Sequence, residues 1–277
     1  MHGLGNDFVV IDAITQEVDL STEQVIAISD RHFGVGCDQL LLVEKPTLEQ
    51  SEFRYRIFNS DGSEVEQCGN GARCFAVFVR QQGLTSNDVI AVETAGGLIE
   101  LKIDGDQVEV NMGVPDFNPQ SLPFLVDNRA ESYNLVVNGA EYAIGAVSMG
   151  NPHAVMPVDD LDTMDIETLG AAIEVHTLFP NRVNAGFMQV IHRNEIRLRV
   201  YERGVGETLA CGTGACAAVA VGQSMGLLGD SVTVHLLGGD LSIQWSGEGH
   251  VLFMTGPATT VFDGTININN KMGKMRE

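Results

Sequence analysis

The chain has 277 residues, 44% of them hydrophobic, and 16 basic against 37 acidic residues give it a formal net charge of −21. This length allows one large domain or two of ordinary size, with enough apolar residues for a full core. The acidity argues against nucleic acid or an anionic membrane surface as a partner, because both select for basic patches.

The composition also indicates a compartment. No apolar run approaches the ~18 residues that a membrane span needs. The opening stretch "MHGLGNDFVVID" lacks the basic and apolar regions of a signal peptide. Five cysteines, an odd number, fit reduced thiols better than a disulfide framework. We therefore expect a cytoplasmic protein.

The first half of the chain predicts an ordered series of elements. They are "GNDFVV" (Gly5–Val10), "GCDQLLLV" (Gly36–Val43), a strand "FRYRIF" (Phe53–Phe58), a turn and helix at "CGNGARCFAVFVRQQ", a stop at Gly83, a strand "VIAVET" and a hairpin "LIELKIDGDQVEVNMG". The helix pattern ends at glycine, and the hairpin alternates apolar and polar residues.

The second half repeats this order. Its elements are "GNPHAV" (Gly150–Val155), "AGFMQVI" (Ala185–Ile191), "IRLRVYE", a helix at "CGTGACAAVAVGQSM", a stop at Gly226, "VTVHLL" and the hairpin "LSIQWSGEGHVLFMTG". A shared order of this length predicts a duplicated fold. We expect an α/β protein of the α+β type with two pseudo-twofold-related domains of the same topology. In each, a mixed, mostly antiparallel sheet wraps around a central helix that is apolar on nearly all sides and therefore buried.

The repeat also predicts the domain boundaries. The first domain comprises residues 1–113 and 258–268, and the second comprises residues 114–257. The segment "ATTVFDGTINI" has no counterpart in the second half, so we expect it to return to the first domain as a strand. Residues 269–277 are a polar tail that we expect to fray.

The Cys-Gly motifs carry the chemistry. Cys68 and Cys211 stand at the predicted starts of the two helices, and glycines at positions 69, 71, 212 and 214 let the backbone approach a ligand. A helix N-terminus stabilises a thiolate and can hold a carboxylate, so we expect low-pKa thiols. Two such thiols facing each other across an interdomain cleft suit racemisation or epimerisation. One removes a proton from a tetrahedral carbon and the other returns one to the opposite face.

Other readings of the cysteines stay open at this point. Cys74, Cys216 and Cys37 are expected to be small core residues. The spacing within each motif fits a zinc knuckle poorly, so no metal is expected. A disulfide between Cys68 and Cys211 would be an oxidised, inactive form.

The sequence also argues against an organic cofactor. Pyridoxal phosphate needs a Schiff-base lysine. The chain has four lysines, Lys45, Lys102, Lys271 and Lys274, and none of them has a glycine-rich phosphate-binding loop beside it. No Gly-x-Gly-x-x-Gly follows a strand, which disfavours a dinucleotide.

Polar residues cluster at matching places in the repeat. Asn6 and Asn151 are equivalent, Asn59 follows the first central strand, and Glu202-Arg203 ends the corresponding strand. A Glu beside an Arg can hold the ammonium and carboxylate of a second amino-acid end. His153 is a further candidate for the same site.

The segments "HGLGNDF", "RIFNSDGSEVEQCGNGARC", "MGNPHAV" and "RVYERGVGETLACGTGACAA" closely resemble the diaminopimelate epimerases, from residue 2 to about residue 266. The resemblance implies a cofactor-independent homodimer that interconverts LL- and meso-diaminopimelate in lysine and peptidoglycan biosynthesis. It implies Cys68 and Cys211 as acid and base. It also implies substrate contacts, with backbone cradles at Gly69-Asn70 and Gly212-Thr213 and support for catalysis from His153 and Glu202. The implied substrate-contacting side chains are Asn6, Gln39, Asn59, Asn151, Asn184, Glu202 and Arg203.

Two departures and two alternatives accompany the resemblance. The family usually has several residues before "MHGLGNDF", so either the start has been assigned too far downstream or the first strand is short. Thr213 stands where serine is also common. A proline-racemase-like enzyme would share the doubled layout. A non-catalytic amino-acid-binding module with redox-sensitive thiols would come from a different functional class.

Overall fold

The computed structural model describes residues 1–65 and 68–268. The chain divides into two compact units. Unit 1 runs from Met1 to Val110 and takes up the chain again from Gly256, whereas unit 2 runs from Asn111 to Thr255. The tail predicted at 269–277 lies outside the described residues.

Unit 1 contains a mixed sheet. Its strands and helices are β1 (His2–Gly3), β2 (Asn6–Asp12), α1 (Thr22–Ser29), β3 (Gln39–Glu44), β4 (Phe53–Asn59), β5 (Glu64–Val65), α2 (Gly69–Gln81), β6 (Val89–Thr94), β7 (Gly97–Asp104) and β8 (Gln107–Asn111). Strand β2 pairs in parallel with β3, and β4 with β6. The neighbours β1–β2, β3–β4, β4–β5, β6–β7 and β7–β8 are antiparallel.

Unit 2 begins with a hairpin of its own and then repeats this order. Its elements are β9 (Tyr133–Val137), β10 (Ala140–Ser148), β11 (Pro152–Val158), α3 (Ile166–Glu174), β12 (Asn184–His192), β13 (Glu195–Glu202), β14 (Gly206–Thr208), α4 (Gly212–Ser224), β15 (Ser231–Leu236), β16 (Gly239–Trp245) and β17 (Leu252–Pro257). Strand β11 pairs in parallel with β12, and β13 with β15. The other neighbouring pairs are antiparallel.

The predicted duplication is confirmed strand by strand. The series β2-β3-β4-β5-α2-β6-β7-β8 has the same pairings as β11-β12-β13-β14-α4-β15-β16-β17. The registers agree as well. Phe8 is opposite Gln39 in unit 1, and His153 is opposite Asn184 in unit 2. Asn6 and Asn151 are therefore structural equivalents, as the sequence predicts.

The central helices match the prediction unequally. Helix α4 is buried along nearly its whole length, as its apolar sequence predicts. Helix α2 departs from the expectation, because the fully buried Arg73 lies in its middle and its last residue, Gln81, is exposed. Both helices end at a glycine with positive φ, Gly83 at 68° and Gly226 at 73°. Side chains with a Cβ rarely adopt this conformation, which explains the predicted stops.

The returning segment corrects one prediction. The chain after Pro257 belongs to unit 1, but it makes an isolated antiparallel bridge between Thr259 and His2 rather than the expected strand. Strand β1 extends over His2–Gly3 alone, so the edge offers little backbone for a longer ladder. Beyond the bridge, Val261 and Phe262 are exposed.

Candidate active site

One edge of the unit 1 sheet gathers the predicted polar residues. Asn6 begins β2, Gln39 begins β3 and Asn59 ends β4. Because β2 and β3 are parallel and β4 is antiparallel to β3, these three termini lie at the same edge. Gln39 Nε2 donates to Asn59 Oδ1 at 2.9 Å, which ties the two side chains together.

Cys68 lies at this edge, immediately before α2. It is the N-cap residue of the helix, partly buried, and its side chain caps no backbone N–H. Its thiol lies 3.8 Å from Asn6 Oδ1, which also accepts from Asn70 Nδ2 at 3.1 Å. The first N–H groups of a helix have no partner within the helix, so the start of α2 is a position suited to an anion.

Unit 2 builds the corresponding edge with different side chains. Asn184 begins β12, Glu202 ends β13, and Cys211 immediately precedes α4. Asn184 is buried and accepts from the backbone N–H of Arg203 at 2.9 Å. Glu202 accepts from Thr208 Oγ1 at 2.6 Å. The equivalent of Asn59 in unit 1 is therefore a carboxylate in unit 2.

The environment of Cys211 corrects the expectation of a low-pKa thiol. Cys211 is 4% exposed. Burial, followed by the nearby Glu202 carboxylate, raises the pKa of the Cys211 thiol well above its ordinary value. The Thr213 hydroxyl, 3.7 Å from the sulfur, and the Gly214 N–H act in the opposite direction. The helix N-terminus does not outweigh burial and a neighbouring negative charge.

His153 is a buried neutral base. It is 1% exposed, and burial together with the Arg203 charge lowers its pKa to about 3. Its Nε2 lies 3.0 Å from Asn151 Oδ1, and because an amide oxygen only accepts, Nε2 carries the proton. Asn151 in turn donates from Nδ2 to Thr213 Oγ1 at 3.3 Å. A hydrogen-bonded chain thus runs from His153 to the start of α4.

The structure adds residues that the sequence reasoning missed. Arg73 is fully buried in α2 and donates to Asn70 Oδ1 at 2.9 Å and to the Pro257 carbonyl at 3.0 Å. Tyr55, also buried, accepts from the Cys68 N–H at 3.4 Å. An arginine within an otherwise apolar helix was a visible signal for Arg73. The side chain of Tyr55 gave none.

The remaining cysteines lie in the core. Cys37, Cys74 and Cys216 are buried, and burial raises the pKa of Cys74 to about 12. In residues 1–65 and 68–268, no group of three or more His, Cys, Asp or Glu side chains is placed to hold a metal ion. Within the same residues, none of the helices combines the length and apolarity required to cross a membrane.

The sequence model of the family described as diaminopimelate epimerase matches residues 1–118 and 145–261. The chain belongs to the diaminopimelate epimerase family. It is 60% identical to the diaminopimelate epimerase of Teredinibacter turnerae, covering 97% of this chain and 98% of the relative. It is 61% identical to that of Thioalkalivibrio sulfidiphilus, with the same coverage. These relatives are isomerases, as the sequence analysis expects of this protein.

Solved structures share the fold at low identity. A probable proline racemase from Agrobacterium radiobacter has a TM-score of 0.71 and 14% identity, covering 98% of this chain and 94% of the racemase. A hydroxyproline epimerase from Agrobacterium vitis has a TM-score of 0.66 and 16% identity, covering 92% and 87%. At this identity the likeness confirms the fold class. It does not favour the proline-racemase alternative.

Proposed function

We propose that this protein interconverts LL- and meso-2,6-diaminopimelate without a cofactor, using Cys68 and Cys211 as acid and base. The observation that carries the proposal is the duplicated arrangement itself. In two units of the same topology, a cysteine stands at the start of a glycine-rich, buried helix. Identities near 60% with diaminopimelate epimerases over almost the whole chain support the choice of substrate.

The reaction is two proton transfers. One thiolate removes the Cα proton, and the electron pair left on carbon delocalises into the adjacent carboxylate. The second thiol then delivers its proton to the opposite face and becomes the thiolate. Backbone N–H groups of Gly69-Asn70 and Gly212-Thr213 would hold the carboxylate, where they stabilise the charge that builds during deprotonation.

The position of Cys211 beside Glu202 supports the assignment of Cys211 as the proton donor in the first direction of the reaction. A buried thiol beside a carboxylate keeps its proton, which is the state required of a donor. In the reverse direction Cys211 must act as the base. The Thr213 hydroxyl and the Gly214 N–H, which favour the thiolate, would then support it. His153, neutral at ordinary pH, would support catalysis by holding Asn151.

The remaining polar residues would bind the two amino-acid ends. A carboxylate such as Glu202 suits an ammonium, and the Arg203 guanidinium suits a distal carboxylate. Asn184 fixes the backbone of Arg203 through its side-chain oxygen. Asn6, Gln39, Asn59 and Asn151 would supply amide donors and acceptors. Selection of diaminopimelate over shorter amino acids would come from this distal recognition.

The test is stereoinversion measured by chiral chromatography, starting from each diaminopimelate isomer and with proline as the comparison substrate. Cys68→Ala and Cys211→Ala should each lower turnover by about a thousandfold or more. One thiol alone can still exchange the Cα proton of one isomer, which deuterium incorporation would detect.

A matched control exists in the same helix. Cys74→Ala installs in α2 the residue that α4 carries at the equivalent position, Ala217. It should retain near-wild-type turnover. Near-wild-type turnover in either active-site variant would refute the two-thiol mechanism, and turnover of proline alone would favour the racemase alternative. Inactivity of the wild type towards both substrates, with binding retained, would favour the binding-module alternative.

Two further expectations belong to this proposal. We also propose a homodimer in the cytoplasm, as the resemblance of the sequence to the diaminopimelate epimerases implies. Sedimentation of the purified protein would test the dimer, and cell fractionation would test the location. A protein that sediments only as a monomer would contradict the first expectation.

A further inference from the structure

A charged cluster lies behind Asn6 in unit 1, outside the predicted site. Arg31 donates to Asp7 from Nη1 at 2.8 Å and from Nη2 at 2.9 Å. The same Nη2 donates to Asp38 Oδ1 at 2.7 Å. The Asp38 N–H donates to Asp7 Oδ1 at 2.7 Å, and the Asp7 N–H to Asp38 Oδ2 at 3.1 Å. These five contacts hold the two carboxylates in one geometry.

The loop after α1 is shaped to deliver Arg31 to this cluster. Asp30 Oδ1 accepts from the backbone N–H groups of His32 and Phe33, both at 2.7 Å, which turns the chain back at once. Gly36 has a φ of +84°, and a Cβ there would lie 2.9 Å from the Arg31 Cα. The close approach of the chain therefore requires glycine at this position.

Asp38 and Asn70 together fix which way the Asn6 amide points. Asn6 Nδ2 donates to Asp38 Oδ2 at 3.1 Å. Because a carboxylate only accepts, the amide nitrogen must face Asp38 and the amide oxygen must face away from it. That oxygen lies 3.8 Å from the Cys68 sulfur and accepts from Asn70 Nδ2 at 3.1 Å. An acceptor aimed at a thiol favours its protonated form.

Unit 2 holds the equivalent asparagine by different partners and with different consequences. Asn151 turns its oxygen to His153 and its nitrogen to Thr213, whose hydroxyl lies near Cys211. The register places Pro152 and Val183 at the positions of Asp7 and Asp38, so unit 2 has no corresponding carboxylates there. The carboxylate support of Asn6 is therefore a feature of unit 1 and not of the shared fold.

We propose that Asp38, held by Arg31, is a positioning residue that keeps the amide oxygen of Asn6 on the Cys68 thiol and so favours the protonated thiol. The role in epimerisation rests on the proposed function, but the effect on the thiol does not. Asp38→Asn replaces a group that only accepts with one that also donates. The Asn6 amide nitrogen is then no longer required to face residue 38, and only the hydrogen bond from Asn70 Nδ2 still opposes a flip of the amide. In the flipped orientation the Asn6 nitrogen faces Cys68 and favours the thiolate.

Other charged or titratable side chains near Cys68 constrain the interpretation. Tyr55 lies against its backbone N–H, Cys74 follows in the same helix, and Arg73 contacts Asn70. Burial raises the pKa of both Tyr55 and Cys74, so these two stay neutral over the working range. Arg73 stays charged. None of the three changes its charge between about pH 6 and 9, so they cannot produce a difference between variants of the Asp cluster.

The experiment measures the pH dependence of Cys68 alkylation by iodoacetamide in the ligand-free protein, read for each cysteine by peptide mass spectrometry. Asp38→Asn should lower the pH midpoint for Cys68 and speed its alkylation at pH 7 by about threefold to tenfold, the effect of one exchanged hydrogen bond. Using the midpoint removes differences in access to the reagent. Cys211 should keep the wild-type profile and serves as the internal reference.

Asp7→Asn is the matched control. It removes the same charge from the same cluster but leaves the hydrogen bond between Asp38 and Asn6, so alkylation of Cys68 should change by less than about twofold. Equal shifts in the two variants would show a charge effect and overturn the proposal, as would no shift in Asp38→Asn. Asp38→Glu, which keeps a group that only accepts, should return the midpoint towards the wild-type value. Failure of this rescue in a folded variant would also count against the proposal.

Kinetics provide a second readout. In Asp38→Asn the pH profile of kcat/KM should move in the same direction as the Cys68 midpoint, whereas a merely structural role would lower activity at every pH without moving the profile. An inactive wild-type protein would refute the proposed function and leave the alkylation result to decide the role of Asp38.

Discussion

Replacing the buried Arg73 by methionine tests the connection between α2 and the returning chain. Arg73 is 0% exposed, and its guanidinium donates to the Pro257 carbonyl at 3.0 Å and to Asn70 Oδ1 at 2.9 Å. Methionine keeps much of the volume but leaves both acceptors without this donor. Each orphaned acceptor costs about 1–3 kcal/mol, and part of this is offset because a buried charge no longer has to be desolvated. We expect Arg73→Met to lower the free energy of unfolding by about 2–4 kcal/mol.

Lysine separates charge from geometry. The guanidinium reaches Pro257 and Asn70 from different nitrogens, Nε and Nη2, and its Nη1 also donates to the Gly69 carbonyl at 3.4 Å. One ammonium on a flexible stem cannot span these acceptors. Arg73→Lys should therefore cost about half as much as Arg73→Met. Arg197 is exposed and forms an ion pair with Asp162, so Arg197→Met is the control and should leave the urea midpoint nearly unchanged.

The assay is urea unfolding followed by far-UV circular dichroism, since the single tryptophan, Trp245, lies in unit 2 and reports poorly on α2. Hydrogen exchange of the Gly69–Gln81 helix localises the effect. A loss below about 1 kcal/mol in Arg73→Met, or equal losses for lysine and methionine, would refute the reasoning.

Three other predictions follow from local geometry. A Cβ at Gly214 would lie 3.0 Å from the buried Val200 Cγ2 and 3.2 Å from the Cys211 sulfur, so Gly214→Ala should displace the thiol and lower kcat/KM by about tenfold or more; an unchanged kcat/KM would contradict this. The Glu202 carboxylate is the second-largest cause, next to burial, of the raised pKa of Cys211. Glu202→Gln removes this charge, so alkylation of Cys211 at pH 8 should accelerate. An unchanged rate would show that burial alone raises the pKa. The hydrogen bond to Asp240 raises the pKa of His235 in the folded protein. Protonated His235 therefore stabilises the fold fully at pH values below the ordinary histidine pKa of about 6.5, and this stabilisation is lost as the pH rises through the folded-state pKa. The melting temperature of the wild type should therefore fall between pH 6 and 8 relative to His235→Gln, and parallel curves would exclude the contribution.

The sequence by itself determined the duplicated order of elements and the places where the two helices start and stop. Glycines around Cys68 and Cys211 identify helix starts, and Gly83 and Gly226 identify the ends. These signals are local, because helix ends and strand alternation depend on residues a few positions apart. The equivalence of Asn6 and Asn151 also follows from the repeat, since a shared order implies a shared register.

Only the tertiary structure decided the electrostatics of the site. The pKa of Cys211 depends on burial and on Glu202, and the orientation of Asn6 depends on Asp38, which is 32 positions away along the chain. In the sequence, Arg73 only interrupts an apolar pattern, whereas in the structure it donates to the Pro257 carbonyl. Desolvation and hydrogen bonding act through space, so no local pattern along the chain contains them.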